Sequence, residues 1–190
     1  VASQRENIRP AIVLNKVDLD ESGEARAVLE VYRKLPWPAL AMSALTGEGV
    51  PQFAALLKDK VSVLAGPSGA GKSTSLNAVQ SGLSLRTGDV NEKSGTGRHT
   101  TTHVTLIPLE QGGYVADTPG VREFSLFKVA PDELALWYPD FMTHLPNCRF
   151  PGCTHLHEPG CAVKLAVETG VVDRDRYKRY LLILDAHRAG

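Results

Sequence analysis

Hydrophobic and polar residues in the first part of the chain fall into short blocks that predict alternating strands and helices. Apolar runs, partly β-branched, predict strands at about residues 11–14, 40–42, 61–65, 103–109 and 113–117. Apolar residues at helical spacing predict helices over about residues 22–35, around Phe53, Leu56 and Leu57, and from near Lys72. This alternation predicts an α/β fold with a parallel, doubly wound sheet and helices on both faces.

The pattern changes near residue 125. We expect a first domain over residues 1–125 and a second, small helical domain over residues 126–190. In the second domain, residues 162–169 predict a short helix that ends at Gly170. Asp173 can cap the next helix, whose apolar face carries Tyr177, Tyr180, Leu181 and Leu184.

Composition sets mild bounds on function. Lysine plus arginine equals aspartate plus glutamate, 21 of each, so any contact with RNA must use local patches of charge. No run of about 18 apolar residues and no charged-then-apolar leader is visible, so we expect a cytoplasmic protein without a membrane contact. The three cysteines fall in one short stretch, which favours metal binding over a disulfide framework.

A glycine-rich loop, Gly66-Pro67-Ser68-Gly69-Ala70-Gly71-Lys72-Ser73, follows a predicted strand and opens a predicted helix. In such a loop backbone N–H groups close around a β-phosphate, Lys72 brings positive charge to the β- and γ-phosphates, and the Ser73 hydroxyl reaches Mg²⁺. We therefore predict a catalytic role for Lys72 and contacts with a nucleotide from Gly66, Ser68, Gly69, Ala70, Gly71, Lys72, Ser73 and Thr74.

Asp117-Thr118-Pro119-Gly120 ends another predicted strand downstream. There the Asp117 carboxylate can reach the Mg²⁺ shell, and the Gly120 N–H can meet the γ-phosphate. Alone, such a segment is usually just a turn. After a phosphate loop, it predicts a γ-phosphate sensor.

Asn15-Lys16-Val17-Asp18 follows the first predicted strand and indicates a guanine site. Guanine offers N1–H and N2–H₂ donors to a carboxylate such as Asp18, and adenine has no such pair. Asn15 would tie this segment to the phosphate loop and the base, and the Lys16 stem would cover the ring. Ser43-Ala44 would add GTP contacts, with the Ala44 N–H meeting guanine O6. The guanine segment precedes the phosphate loop, the reverse of the usual order, which predicts a circularly permuted P-loop GTPase domain that binds GTP and GDP.

The order of these segments, with Gly97-Arg98-His99-Thr100-Thr101-Thr102 among them, resembles the RsgA (YjeQ) family of ribosome small-subunit-dependent GTPases. The resemblance covers essentially the whole chain, and the cysteine-rich tail agrees with it. Members of that family also carry an N-terminal OB-fold and the first strand and helix of the permuted domain. Val1 stands just before the strand that leads to Asn15, so we expect both to be missing here and the GTPase domain to be N-terminally incomplete.

The resemblance implies Mg²⁺-dependent hydrolysis of GTP to GDP and phosphate, coupled to late maturation of the 30S ribosomal subunit. It implies the 30S subunit and 16S rRNA as partners, and we expect a monomer. Two alternatives stay open: a nucleotide-dependent RNA-binding switch with negligible turnover, and a GTPase that serves assembly of the large subunit.

Residues 86–103 are rich in glycine, threonine, serine and charge, a composition typical of a mobile switch loop. Thr101 best matches the family's switch threonine and would engage Mg²⁺ and the γ-phosphate, with Thr100 as the alternative register. Val121 stands where Ras-like proteins have a water-orienting glutamine. The resemblance therefore implies His99 as the catalytic group that positions water, and a solvated loop histidine is the alternative.

Cys148-x₄-Cys153-x-His155-x₅-Cys161 supplies three thiolates and one imidazole within fourteen residues, enough for a closed tetrahedral Zn²⁺ site. A closed site indicates one structural Zn²⁺ rather than catalysis. His157 competes for the imidazole position, and the family pattern favours His155.

Basic residues cluster on the last predicted helix, at Arg174, Arg176, Lys178 and Arg179. Such a cluster is usually a solvated face. In a ribosome-binding family it is a candidate for contact with rRNA phosphates.

Overall fold

The computed structural model describes residues 1–83, 105–117 and 129–188, with only the backbone described for Asp117, His187 and Arg188. The described strands are β1 Ile12–Leu14, β2 Ala39–Ala41, β3 Val61–Val63, β4 Thr105–Pro108 and β5 Tyr114–Asp117. The described α-helices are α1 Ala2–Arg5, α2 Glu24–Arg33, α3 Val50–Leu57, α4 Lys72–Val79, α5 Pro139–Met142, α6 Ala162–Glu168 and α7 Arg174–Arg188. Short 3-10 turns lie at Val17–Leu19, Leu134–Trp137 and Leu145–Asn147.

The described strands form a two-stranded sheet, β1-β2, and a three-stranded sheet in the order β3-β5-β4. The pairs β1-β2 and β3-β5 are parallel, as predicted. The predicted α/β fold with parallel strands is confirmed, and β4 differs from the other strands because it runs antiparallel to β5. The reason is the short connection: only antiparallel neighbours can be joined by a tight turn.

That turn depends on its two glycines. Gly112 and Gly113 have φ angles of 89° and 91°, a left-handed conformation that is costly for residues with a Cβ atom. The Gly112 N–H donates to the Leu109 carbonyl at 3.0 Å, and the Leu109 N–H donates to the Gly113 carbonyl at 3.0 Å. These two bonds close a tight turn at Gln111-Gly112-Gly113, between the end of β4 and the start of β5.

The chain divides into two compact units. The sheet unit comprises Ala11–Tyr32 and Pro38–Phe124, and the helical unit comprises Val1–Pro10, Arg33–Trp37 and Ser125–Gly190. The sequence-based domain boundary at residue 125 stays a prediction. None of the helices in the described ranges is long and apolar enough to span a lipid bilayer.

The sheet unit has a core to which β5, α3 and α4 contribute. Helical spacing buries one face of α3, and the strand residue Val115 is 1% exposed. The core side chains are Met42, Phe53, Leu57, Leu76, Leu83, Leu109 and Val115. Burial of these elements fixes the strand ends, from which the loops of the candidate site emerge.

The core of the helical unit is built around α7. The Asp173 carboxylate accepts from the backbone N–H groups of Asp175 and Arg176 at 3.0 and 2.9 Å, which confirms the predicted cap. Tyr180 and Leu184 on the predicted apolar face are buried. They pack with side chains of α5, α6 and the 3-10 turn before α5, including Leu134, Phe141 and Val163.

One basic residue of α7 faces inward. The Arg176 guanidinium donates to both carboxylate oxygens of Asp140, at 2.7 and 2.6 Å, and lies 5.3 Å from the Tyr138 ring centroid. The two charged side chains are only 10% and 15% exposed. Arg176 is therefore part of the fold, and the interpretation of it as part of a surface cluster is wrong.

Candidate nucleotide site and metal centre

Asn15 follows β1 and joins three loops of the sheet unit. Its side-chain Nδ2 donates to the Ala70 carbonyl of the glycine-rich loop at 3.0 Å. Its Oδ1 accepts from the Ala44 N–H at 3.2 Å. Both ends of one amide are thus used on backbone groups that are far apart in the sequence. These two bonds bring the segments that we predict to contact guanine and the phosphates to one edge of the sheet unit.

Gly71 lies directly against this amide. Its φ angle is 86°, and a Cβ atom built on it would collide with Asn15 Nδ2 and come within 3.8 Å of Lys16 Cε. Lys16 itself adopts a left-handed conformation with φ 65°. A side chain at position 71 would therefore push the guanine segment away from the glycine-rich loop.

The glycine-rich loop ends at the start of α4. Lys72 is the first residue of that helix, and its Nζ donates to the Gly66 and Pro67 carbonyls at 2.8 and 3.1 Å. A helix N-terminus presents free backbone N–H groups and a positive dipole end. With the Lys72 ammonium beside them, these groups suit a phosphate chain. Ser73 and Thr74 lie in the same first turn.

Asp18 lies in the 3-10 turn Val17–Leu19 and is exposed. The turn is anchored by Val17, whose side chain is buried and whose N–H donates to the Met42 carbonyl at 3.2 Å. Asp20 then accepts from the Ala25 and Arg26 N–H groups and starts α2. The Asp18 carboxylate is thus held on an anchored turn and is open to a ligand that offers paired donors.

Ser43 shapes the loop that presents Ala44. It is fully buried, its Oγ accepts from the Thr46 N–H at 3.1 Å, and its N–H donates to the Glu48 carbonyl at 2.8 Å. The Glu48 side chain pairs with Arg26 on the surface. The predicted contact of Ser43 with GTP stays a prediction, and its observed contacts are within its own loop.

Several predicted site residues fall outside the described residues. These are His99, Thr100, Thr101, Gly120 and Val121. Asp117 ends β5, with its backbone paired opposite Thr105. The predicted roles in Mg²⁺ binding and catalysis, including those of Thr101, Asp117 and His99, therefore stay predictions.

The helical unit brings the four predicted zinc ligands together. One ligand atom from each of Cys148, Cys153, His155 and Cys161 lies within 4.8 Å of the others. His155 Nδ1 is 3.3 Å from Cys161 Sγ and 3.7 Å from Cys148 Sγ. Tetrahedral zinc with sulfur and nitrogen ligands sets its ligand atoms roughly 3.5–3.8 Å apart. The donor set and its spacing fit such an ion, and the exposed His157 is not part of the cluster.

Burial and the neighbouring cysteines both oppose a thiolate at Cys153. Burial raises the pKa of the Cys153 thiol to about 12; a backbone hydrogen bond at His155 works against this rise, and the neighbouring Cys161 and Cys148 add to it. Burial also lowers the pKa of His155, which keeps its imidazole neutral. A bound cation is what would convert such thiols to ligating thiolates.

Three residues that the sequence analysis did not assign to the site hold the loop around His155. Glu158 accepts hydrogen bonds from backbone groups of that loop. Although burial opposes it, hydrogen bonding from Thr154 and the loop N–H groups lowers the pKa of Glu158 to about 2. Tyr177 and Tyr180 donate to the His155 and Thr154 carbonyls. The sequence gives one indication of these contacts. A carboxylate, Glu158, stands between the candidate ligands His155 and Cys161.

The chain resembles proteins of one family along nearly its whole length. The family model described as RsgA GTPase matches residues 1–127. A protein named small ribosomal subunit biogenesis GTPase RsgA from Caldanaerobacter subterraneus subsp. tengcongensis is 44% identical over 184 residues, which is 97% of this chain and 62% of that protein. A protein of the same name from Chlorobaculum tepidum is also 44% identical, over 98% of this chain and 60% of its own length.

Solved structures show the same fold. The crystal structure of YjeQ from Thermotoga maritima has a TM-score of 0.84 and 34% identity, over 99% of this chain and 63% of that one. YloQ, described as a circularly permuted GTPase, has a TM-score of 0.75 and 31% identity, over 96% of this chain and 58% of that one. The chain thus spans about 60% of the length of its curated relatives.

The matches extend over both units. The α/β fold is that of a circularly permuted GTPase, and a Cys₃His cluster compatible with zinc follows it. Since the family model covers residues 1–127, which is more than half of the 190 residues, the chain belongs to the RsgA GTPase family.

Proposed function

We propose that the protein binds GTP and hydrolyses it to GDP and phosphate in a Mg²⁺-dependent reaction. The observation that carries this proposal is the Asn15 bridge, with its amide bonded to Ala70 on one side and to Ala44 on the other. The bridge sets the exposed Asp18 segment beside the glycine-rich loop. A guanine nucleotide whose base meets Asp18 reaches the glycine-rich loop with its phosphates.

Each part of the site has a separate task in this reaction. Asp18 accepts from guanine N1–H and N2–H₂. The Ala44 N–H donates to Asn15 Oδ1 in the described structure, and it would turn to guanine O6, or share its hydrogen with it, when the base is bound. The N–H groups at the start of α4 and the Lys72 ammonium hold the phosphates and stabilise the charge that develops on them. Mg²⁺, when bound with GTP by Ser73, Thr101 and Asp117, supplies further charge neutralisation.

The water-positioning group in this proposal is His99. Val121 follows the Asp117–Gly120 segment and has no polar group for this task. His99 stands in the predicted switch loop, which would lie over the γ-phosphate. Its imidazole would orient the attacking water.

We also propose one structural Zn²⁺ on Cys148, Cys153, His155 and Cys161. Support comes from the fit of the donor set to a tetrahedral site. Cys161 lies at the start of α6, and Tyr177 of α7 donates to the His155 carbonyl. Because the ligands are linked to both helices, bound metal would stabilise the helical unit.

The proposed partner is the small ribosomal subunit, including 16S rRNA, during late maturation in the cytoplasm, with the protein acting as a monomer. The relatives that match are named for small-subunit biogenesis. On α7, Arg174, Lys178 and Arg179 are exposed and could face phosphates. Lys178 also pairs with the exposed Asp175 at 2.8 Å.

GTP turnover by the whole protein, measured with and without purified 30S and 50S subunits, tests this function. We expect stimulation by 30S subunits only, and a fall on the order of 10²-fold for His99→Ala with GTP affinity unchanged. Turnover that neither subunit stimulates would favour the passive RNA-binding switch. Stimulation by 50S subunits would favour a role in large-subunit assembly.

A further inference from the structure

The loop that carries two of the four candidate metal ligands is held by a carboxylate. We call residues 153–158 the ligand loop. The Glu158 Oε1 accepts from the Thr154 N–H at 2.8 Å and from the Thr154 hydroxyl at 2.7 Å. Its Oε2 accepts from the Leu156 and His157 N–H groups at 3.0 and 3.1 Å. Both oxygens are therefore fully occupied by donors of the loop that surround His155.

The opposite side of the same backbone is held by α7. The Tyr177 hydroxyl donates to the His155 carbonyl at 2.6 Å, and the Tyr180 hydroxyl donates to the Thr154 carbonyl at 2.9 Å. Tyr180 is completely buried, so its hydroxyl has a fixed position. The ligand loop is thus held through its N–H groups by Glu158 and through its carbonyls by two phenols.

These contacts hold His155 in a conformation that it would not adopt alone. Its φ angle is 59°, and the left-handed region costs a residue with a Cβ atom roughly 1 kcal/mol or more. In that conformation the ring lies edge-on to Phe141, with ring centroids 6.1 Å apart. Nδ1 then faces Cys161 and Cys148.

We propose that Glu158 is a positioning residue of the metal centre, which sets His155 in ligating geometry before a metal binds. The inference rests on the proposed zinc site and goes beyond its four ligands. A preformed ligand set reduces the ordering cost of binding, so affinity depends on the groups that hold the ligands. Glu158 directs its hydrogen bonds to loop N–H groups and to the Thr154 hydroxyl, so it holds His155 through the backbone of the loop.

Two substitutions weaken the hydrogen bonds to the ligand loop to different extents. Glu158→Gln keeps the size of the side chain, but its amide N–H₂ would face one pair of loop donors and leave that pair without an acceptor. Thr154→Val removes a single donor, the hydroxyl. We expect zinc affinity to fall 10- to 100-fold for Glu158→Gln and by a smaller factor for Thr154→Val. Glu168→Gln, at an exposed acidic residue at the end of α6, serves as the control and should equal the parent.

The measurement is zinc affinity of the full chain by competition with a chromophoric chelator, at a temperature where circular dichroism shows the metal-free forms to be equally folded. A cobalt-substituted sample gives a second readout, because the visible bands of Co²⁺ report the geometry of its ligands. A purely structural role for Glu158 would lower the melting temperature and leave both readouts at the parent's values. Parent affinity and a parent cobalt spectrum in Glu158→Gln would overturn the proposal.

A parent chain that binds no zinc would instead refute the zinc site itself, so the two failures are distinguishable. If Glu158→Gln does not fold, Tyr177→Phe replaces it, because it removes only the hydrogen bond to the His155 carbonyl. The expected result is again weaker zinc binding with a shifted cobalt spectrum. An unchanged affinity and spectrum in that variant would count against preorganisation of the loop.

Discussion

The proposed role of the Asp18 carboxylate, the choice of base, gives the first prediction. Asp18→Asn replaces one acceptor oxygen with a donor, so guanine loses part of its paired contact while xanthine, with an oxygen at C2, gains one. A hydrogen bond to a charged group contributes about 1.5–3 kcal/mol, and we expect GTP affinity to fall at least tenfold while xanthosine triphosphate binds better. Equilibrium titration with labelled nucleotides measures this.

Glu21→Gln is the matched control for that variant, because it removes an exposed acidic charge three positions further along. We expect it to bind GTP like the parent. Undiminished GTP affinity in Asp18→Asn would show that the base is recognised elsewhere.

The contact between Gly71 and Asn15 gives a second prediction. Gly71→Ala places a Cβ atom against Asn15 Nδ2, so the guanine segment and the glycine-rich loop must move apart. We expect affinity for fluorescently labelled GDP to fall by at least tenfold. Gly82→Ala controls for backbone strain, since Gly82 has a similar φ of 83° and no atom within 4 Å of the added Cβ. Equal affinities in the two variants would contradict the proposed role of the contact.

At the scale of single elements, the buried ion pair Arg176–Asp140 ties α7 to α5. Arg176→Met leaves the partly buried Asp140 carboxylate without its partner. Breaking a fully buried pair costs about 3–5 kcal/mol, and because Asp140 keeps 15% exposure we expect a loss near the low end of that range. Denaturant unfolding measures the loss for the helical unit. Arg174→Met, at an exposed position on the same helix, should change stability by less than about 0.5 kcal/mol.

Adding Asp140→Asn to Arg176→Met removes the uncompensated charge, and the double variant should recover part of the lost stability. A loss no larger than that of Arg174→Met would show that the pair contributes little.

Elements with strong local patterns could be predicted from the sequence. The apolar runs before Asn15 and Gly66 and the cap at Asp173 are local signals, and the structure has β1, β3 and α7 there. Among contacts between distant segments, the bond from Asn15 to the glycine-rich loop follows from the motifs, but the contacts of Arg176 and Glu158 could not be predicted. Arg176 looks like its basic neighbours in sequence, and only the fold brings Asp140 to it. The partners of Glu158 are mostly backbone N–H groups, which every residue type offers alike.

At the scale of the whole molecule, the proposed metal should stabilise one unit selectively. Chelation should loosen α6 and α7, because a ligand that binds only the folded unit contributes its binding free energy to folding. We expect faster hydrogen exchange in the helical unit after chelation and little change in the core of the sheet unit. Elemental analysis should give about one zinc per chain.

Cys153→Ser should reproduce the effect of chelation, since it removes one ligand. A metal-free chain whose α7 amides exchange as slowly as those of the zinc-loaded chain would contradict the structural role of the metal.

The division into two units also decides what an optical experiment on this chain reports. Its two tryptophans, Trp37 and Trp137, both belong to the helical unit, although Trp37 lies between two segments of the sheet unit in the sequence. Intrinsic tryptophan emission therefore reports directly on the helical unit, which carries the candidate metal centre. A melting curve followed by that emission gives the unfolding of this unit, and a probe placed in the other unit is needed to show whether both unfold together.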